Sequence, residues 1–371
     1  MTGAIEDLRS HFSIGDVLAA CRALDPRTQC VLDVQIERVS CSIPGFLSLM
    51  LRVTATTRLL DSSVSQVKLI MKTQPEHAVQ RKIVEDSERC PQLPLVDCLL
   101  AHETTLVLRD LSDAGYQSYF SGMEAMMKGT MSMPHIKFVL RRLAQMHAAS
   151  LGTDWLKLMP VLQRDIMLQG AFSKTIMNPL KSGSQIAAMA IEQLFPDKRY
   201  AKHAAWLRHE THLLDTMTAL ATPAPGKLNV LCHGDLHLNN MMFLHDPDTA
   251  EPRDVKFFDL QLFRFSRPCV ELHYFFMAGT NKEFLVVQHE QEILKTYVEA
   301  FNAAACTTPD LMNFDAFLTE YNESRIFGLA FEMMGMPMKF QTDLMPQSGE
   351  ALREDQFEAW LLTDHSGTAE K

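Results

Sequence analysis

The prevailing spacing of the apolar residues changes near the end of the first third of this chain, and that change limits the possible fold more than any other feature of the sequence. Up to about residue 111 they alternate as in strands, and beyond it they recur at helical intervals. In Val31 to Glu37 the apolar Leu32, Val34 and Ile36 alternate with Asp33, Gln35 and Glu37. A second run from Leu47 to Thr57 carries Leu47, Leu49, Leu51 and Val53 in the same pattern, after a turn at Ser42-Ile43-Pro44-Gly45. Beyond Asp61-Ser62-Ser63, Val67, Leu69 and Met71 alternate with Lys68, Ile70 and Lys72. This predicts a third strand and an antiparallel meander, with Lys72 at the strand end on the face opposite Val67 and Leu69. A short amphipathic helix, Ile14 to Leu24, precedes the strands and stops before Pro26, and Leu95 to Leu100 with Leu106-Val107-Leu108 predicts one more strand pair.

From about Ser112 helical spacing takes over. His135 to Leu151 carries Ile136, Val139, Leu140, Leu143 and Met146 on one face, and Lys202 to Leu220, Glu290 to Ala305 and Phe314 to Met334 have the same period. One island of strand interrupts them, at Leu228 to Cys232, Met241 to Leu244 and Val255 to Phe258. The predicted class is α+β: a β-rich N-terminal lobe over 1–111, a helical lobe over 112–340 and a polar tail over 341–371, and a length of 371 residues suits two compact bodies. A net charge of −10 excludes a general nucleic-acid binder. No membrane span and no apolar leader core are predicted, so a cytoplasmic location is expected, with eight scattered cysteines as reduced thiols.

The island carries the chemistry. It reads Val230-Leu231-Cys232-His233-Gly234-Asp235-Leu236-His237-Leu238-Asn239-Asn240, and the following hairpin leads out through Phe258 to Asp259-Leu260-Gln261. A buried strand, a loop bearing Asp235, and Asn240 and Asp259 on either side of a hairpin bring two carboxylates and an amide within reach of one another. Phosphoryl transfer needs such a set: a carboxylate to orient the attacking hydroxyl, and oxygen ligands for magnesium.

His233-Gly234-Asp235 with Asn240, followed by Asp259-Leu260-Gln261, resembles the H-G-D-x-x-x-x-N and D-F-Q elements of the ecdysteroid kinase-like (CHK kinase-like) branch of the choline kinase and aminoglycoside phosphotransferase superfamily. Leu106-Val107-Leu108-Arg109-Asp110-Leu111 with Gly115 resembles its L-V-L-E-D-L segment, and Leu143-Ala144-Gln145-Met146-His147-Ala148 its L-A-x-L-H-A helix. Val67 to Pro75 resembles the strand that carries its ATP-contacting lysine, and Arg264 to Phe276 the segment after its second aspartate; the resemblance spans roughly residues 30 to 340. It implies a protein-kinase-like fold with nucleotide bound between a small β lobe and a helical lobe. It also implies ATP and Mg2+ as cofactors and an alcohol as acceptor, an ecdysteroid-type sterol or another lipophilic hydroxyl compound. Asp235 becomes the catalytic base, Asn240 and Asp259 the metal ligands, and Lys72, Ser48 and Leu108 the nucleotide contacts.

The departures from the family pattern are specific. The phosphate turn, Ile43 to Ser48, has a single glycine, Gly45. Only residues 73 to 105 separate Lys72 from Leu106, so the small lobe is expected to be shortened, with Glu85 or Glu88 as the available partner for Lys72. Arg109 replaces an acid, His237 an aromatic residue and Glu271 an aspartate. A catalytically impaired kinase-like protein is therefore the alternative reading. A metallophosphoesterase, built on His233, Asp235, His237 and His245, lacks the further ligand clusters it would need.

Bland roles are weighed for the remaining polar residues. His147 is expected to be a satisfied core histidine, and Lys72 a solvated strand-end lysine if it does not meet nucleotide. His209 and His212, one helical turn apart, could ligate a metal but are expected on a solvated helix face, and Arg264 and Arg267 are expected either to meet substrate or phosphate or to pair with Glu271.

Overall fold

The computed structural model describes residues 13–38, 49–73, 93–101, 105–120, 131–169, 171–209, 212–279, 283–305 and 311–340. Ser48, Gly45, Glu85 and Glu88, and with them the phosphate turn and the lysine partner, lie outside the described residues. The chain divides into two compact units, one of Met1–Tyr119 with Met242–Phe258 and one of Phe120–Met241 with Asp259–Lys371.

The first unit opens with helix α1, Ile14–Leu24, which starts where a capping box closes: the Ser13 Oγ accepts from the Asp16 N–H, and the Asp16 carboxylate accepts from the Ser13 N–H at 2.7 Å. Its Val17, Ala20 and Cys21 are buried. Strands β1 (Thr28–Arg38), β2 (Leu49–Leu59), β3 (Val64–Thr73), β4 (Cys98–Ala101) and β5 (Thr105–Arg109) form one sheet in the order β1-β2-β3-β5-β4, with every pairing antiparallel. Period-two alternation sends Leu51, Val53 and Ala55 of β2, Leu69 and Met71 of β3 and Val107 of β5 into a single core with the buried face of α1. The meander and the later strand pair are therefore present, with strand ends moved by a few residues.

Directly after β5, Asp110 ties the sheet to the next turn. Its buried carboxylate accepts from the Ser112 N–H at 3.0 Å and from the Arg52 Nε at 2.6 Å. Burial opposes ionisation of Asp110, but the Ser112 and Arg52 contacts outweigh it and hold the carboxyl below its ordinary range. Arg109 points to Asp97 at 3.4 Å. Strands β6 (Val230–Cys232), β7 (Met241–His245) and β8 (Pro252–Phe257) come from the island, and β7 pairs with β8 as a hairpin. That hairpin is fastened within the first unit by a reciprocal pair of 2.8 Å backbone bonds between Gln117 and Phe243, and by the Tyr116 hydroxyl donating to Asp254.

In the second unit, helix α2 (Met133–Ala149) buries Ile136, Val139, Leu140, Leu143, Ala144, Met146 and His147, the face that its spacing predicts. Helix α3, Ala171–Leu194, has no counterpart among the predicted elements. Pro179 and the run Ser182-Gly183-Ser184 are poor local helix signals. Tertiary packing uses them, because a Cβ at Gly183 would stand 1.7 Å from the Met333 carbonyl oxygen.

The expected helix over Lys202 to Leu220 is two, α4 (Ala201–His209) and α5 (Leu213–Ala221). The expected helix over Phe314 to Met334 is also two. With β9 (Arg264–Ser266), α6 (Pro268–Tyr274) and α7 (Glu283–Ala305), these last two are α8 (Phe314–Glu323) and α9 (Arg325–Phe340). They separate at Ser324, whose hydroxyl donates back to the Glu320 carbonyl at 2.9 Å and ends the first helix. A small antiparallel sheet followed by a mainly helical unit is the α+β class that the sequence predicts. No helix among the described residues is long and apolar enough to cross a membrane.

Candidate active site

Strand β6 is buried along its length, pairs antiparallel with β9 and delivers the chain into a loop that opens with His233 and Gly234. Gly234 adopts φ +85°, and a Cβ there would stand 1.8 Å from the Leu262 carbonyl oxygen, so no other residue fits. Both peptide groups of this glycine are held by charged side chains. Its N–H donates to the Glu271 carboxylate at 3.1 Å, and its carbonyl accepts from the Arg264 Nη2 at 2.8 Å. Glu271 is buried on α6 with His147 Nε2 at 3.9 Å, and Arg264 is buried against Asp165 at 3.2 Å. Burial would raise the Glu271 carboxyl, but His147 above all outweighs it and the carboxyl is lowered.

This frame fixes Asp235. The Asn240 Nδ2 donates to the Asp235 carbonyl at 2.8 Å and to Oδ2 at 3.2 Å, closing the loop on itself. The Tyr274 hydroxyl donates to Oδ1, and the His237 Nε2 faces the same oxygen at 3.5 Å. Burial works against ionisation of Asp235, yet His237 first, then Tyr274 and His233, outweigh it and hold the carboxyl at about 2. The His237 imidazole moves the other way. Burial disfavours its charge, but Asp235 and then Asp259 outweigh that effect and raise its pKa.

Asn240 stands immediately before β7 and Asp259 two residues past the end of β8, and both act on His237: the Asn240 Nδ2 lies 3.3 Å from its Nε2, and the Asp259 charge is among those that raise its pKa. The amide nitrogen of Asn240 is committed to Asp235, so its Oδ1 is the atom that could hold a metal. Asp259 sits in the left-handed region at φ 67°, ψ 60°, a strained conformation for a non-glycine residue and one that recurs at functional sites. An amide oxygen beside a carboxylate is a hard-oxygen donor set and fits Mg2+.

Asp235, Asn240 and Asp259, three positions singled out in the sequence, thus belong to one cluster. Of the nucleotide positions, Lys72 lies in β3 paired with Met50 and Leu106, and its side chain is buried, so the reading of a solvated strand-end lysine is corrected. Leu108 stands on β5 opposite Ile70. His147 is a core histidine, as expected, sharing a 2.7 Å hydrogen bond with the Tyr297 hydroxyl. His209 and His212 are exposed but belong to no common helix face, since α4 and α5 are separate.

Arg264 and Glu271 act on one another electrostatically, and each arginine has a further partner. Arg264 meets Asp165 and Gly234, and the Arg267 Nη2 donates to the Leu220 carbonyl at 3.3 Å, while Glu271 serves the Gly234 amide. Asp165 and Tyr274 are the supporting residues that sequence reasoning missed. Asp165 sits in an irregular stretch with no motif, and Tyr274 reads as one more apolar position of a helix.

The sequence matches the model of the ecdysteroid kinase-like family over residues 86–307. The chain belongs to that family. The match of this ecdysteroid kinase-like protein covers both the H-G-D loop and the aspartate after the hairpin. Similar solved structures include an ethanolamine kinase from Plasmodium vivax, 12% identical over 95% of this chain and 84% of that one with a TM-score of 0.46. A macrolide 2'-phosphotransferase type I is 13% identical over 94% and 96%, with a TM-score of 0.38. An aminoglycoside phosphotransferase from Streptomyces rimosus is 16% identical over 87% and 98%, with a TM-score of 0.32. No curated protein sequence matches the chain.

Proposed function

We propose that this ecdysteroid kinase-like protein is an ATP- and magnesium-dependent small-molecule kinase that phosphorylates a hydroxyl group. The observation that carries the reading is the Asp235 carboxylate, held on Oδ1 by Tyr274 and on Oδ2 by the Asn240 amide, in the loop that leads into the hairpin ending before Asp259. The acceptor oxygen forms a bond to the γ-phosphorus, the bond from that phosphorus to the β,γ-bridging oxygen breaks, and ADP leaves with the electron pair. The hydroxyl proton passes to Asp235.

A carboxyl held at about 2 is a weak base, so the main work of Asp235 is to orient the acceptor, and the proton moves late. Asn240 Oδ1 and the Asp259 carboxylate are the ligands for magnesium, which when bound neutralises charge on the phosphate oxygens. Lys72, Leu108 and Ser48 are assigned to the nucleotide. The acceptor class is a lipophilic alcohol of the ecdysteroid or steroid type, which rests on the family alone.

The test incubates purified protein with ATP and magnesium against a panel of hydroxylated metabolites that includes steroids, and reads the mass shift of one phosphoryl group. ADP formation coupled to a phosphorylated steroid supports the full reading. A different phosphorylated alcohol retains the kinase and replaces the acceptor, and tight nucleotide binding with no product on any alcohol favours a kinase-like binding protein.

A further inference from the structure

Helix α6 grips the catalytic loop twice from one face. Glu271 and Tyr274 are three positions apart and so neighbours on the helix surface; the first holds the Gly234 N–H and the second the Asp235 side chain. The Tyr274 ring is itself immobilised, buried and edge-on to Phe331 with centroids 4.8 Å apart. A carboxylate on a free χ2 offers either oxygen to an acceptor. Here Oδ1 is occupied by the phenol and faced by His237, whereas among the described residues Oδ2 carries the longer 3.2 Å bond from Asn240 alone.

We infer that Tyr274 is a positioning residue for phosphoryl transfer: its hydroxyl locks the rotamer of Asp235 so that Oδ2 is the oxygen presented to the acceptor hydroxyl. The inference rests on the kinase reading given above. The Tyr274 hydroxyl acts through the carboxylate, and the ring acts through packing, so the two contributions separate in one substitution. Tyr274→Phe keeps the ring against Phe331 and removes the donor alone. Losing a hydrogen bond to a charged group that sets reaction geometry lowers turnover by roughly tenfold or more, whereas nucleotide affinity has no reason to change.

Two measurements test this. In the first, water serves as the hydroxyl acceptor, and ATP hydrolysis is followed for wild type, Tyr274→Phe, Asp235→Asn and the double variant, with ATP affinity measured by calorimetry. The expected result is a kcat about tenfold lower in Tyr274→Phe with KM and affinity for ATP within twofold, and no further loss when the change is added to Asp235→Asn. In the second, the tyrosines are replaced by 3-fluorotyrosine, and the fluorine resonance assigned by its loss in Tyr274→Phe is followed in Asp235→Asn, where it is expected to move.

An unmoved resonance, or turnover by Tyr274→Phe equal to wild type, overturns the role of Tyr274 and leaves the kinase reading standing. A further loss in the double variant as large as in the single one makes Tyr274 merely structural and overturns it too. Wild-type protein that binds no ATP and hydrolyses none overturns the kinase reading, and with it any role of Tyr274 in transfer, even where the resonance moves.

Discussion

Arg264 and Asp165 form an ion pair at 3.2 Å with both side chains almost fully removed from solvent, and the guanidinium also donates to the Gly234 carbonyl and lies over the Phe327 ring. A charge removed from water in this way depends on its partner. Arg264→Met should therefore destabilise the protein by about 3–5 kcal/mol, and Asp165→Leu by a similar amount. The double variant should recover much of the loss, because two apolar side chains leave no uncompensated charge. Urea denaturation of the four proteins checks this, and strictly additive losses would contradict it.

Gly234→Ala should fail for a steric reason that no side-chain rotation relieves. The added methyl meets the backbone oxygen of Leu262 at 1.8 Å, and the backbone is in the left-handed region. Soluble yield should fall sharply. Any protein recovered should have lost ATP turnover, since the residue after Gly234 is Asp235. Gly226→Ala, also at positive φ but with open space around the new methyl, is the control and should fold, at a cost of about 1 kcal/mol.

His273 stacks on Tyr321 with ring centroids 4.0 Å apart, and burial lowers its pKa to about 4. Its folded pKa lies below the ordinary histidine value of 6.5, so the unfolded chain takes up the proton first. The contribution of neutral His273 is fully present above pH 6.5 and is lost as pH falls from there toward 4. Thermal melts of wild type should drop over that window, and His273→Gln, which cannot titrate, should drop less. Parallel curves would show that other groups govern the acid limb.

Asp235→Asn should reduce transfer to a small residual rate while ATP affinity stays within a few-fold, because the change removes an acceptor-side carboxylate and no nucleotide contact. On the metal side, Asp259→Ala should weaken magnesium-dependent nucleotide binding more than Asn240→Ala, since a charged oxygen binds a hard divalent cation more strongly than an amide does. Magnesium titrations at fixed ATP give both comparisons. Equal effects of the two alanine variants would remove the distinction.

Local information in the sequence determined a good part of this protein. The capping box at Ser13 and Asp16, the alternation in β1 to β3 and the apolar face of α2 are one-dimensional signals, because each depends on residues within a turn or a strand of one another. The H-G-D-x-x-x-x-N loop and the aspartate after the hairpin were legible for the same reason: a tight loop and a hairpin fix their own ends. Tertiary structure alone decided what supports them. Gly234 is gripped by Glu271 and Arg264, Arg264 is neutralised by Asp165, and Asp235 is held by Tyr274, all across long separations in sequence. Nothing in the spacing of a charged residue says whether it is solvated or buried against a distant partner. That outcome is set by desolvation and pairing once the helices have packed, and it made Arg264, whose spacing in sequence left its partner open, a brace of the catalytic loop.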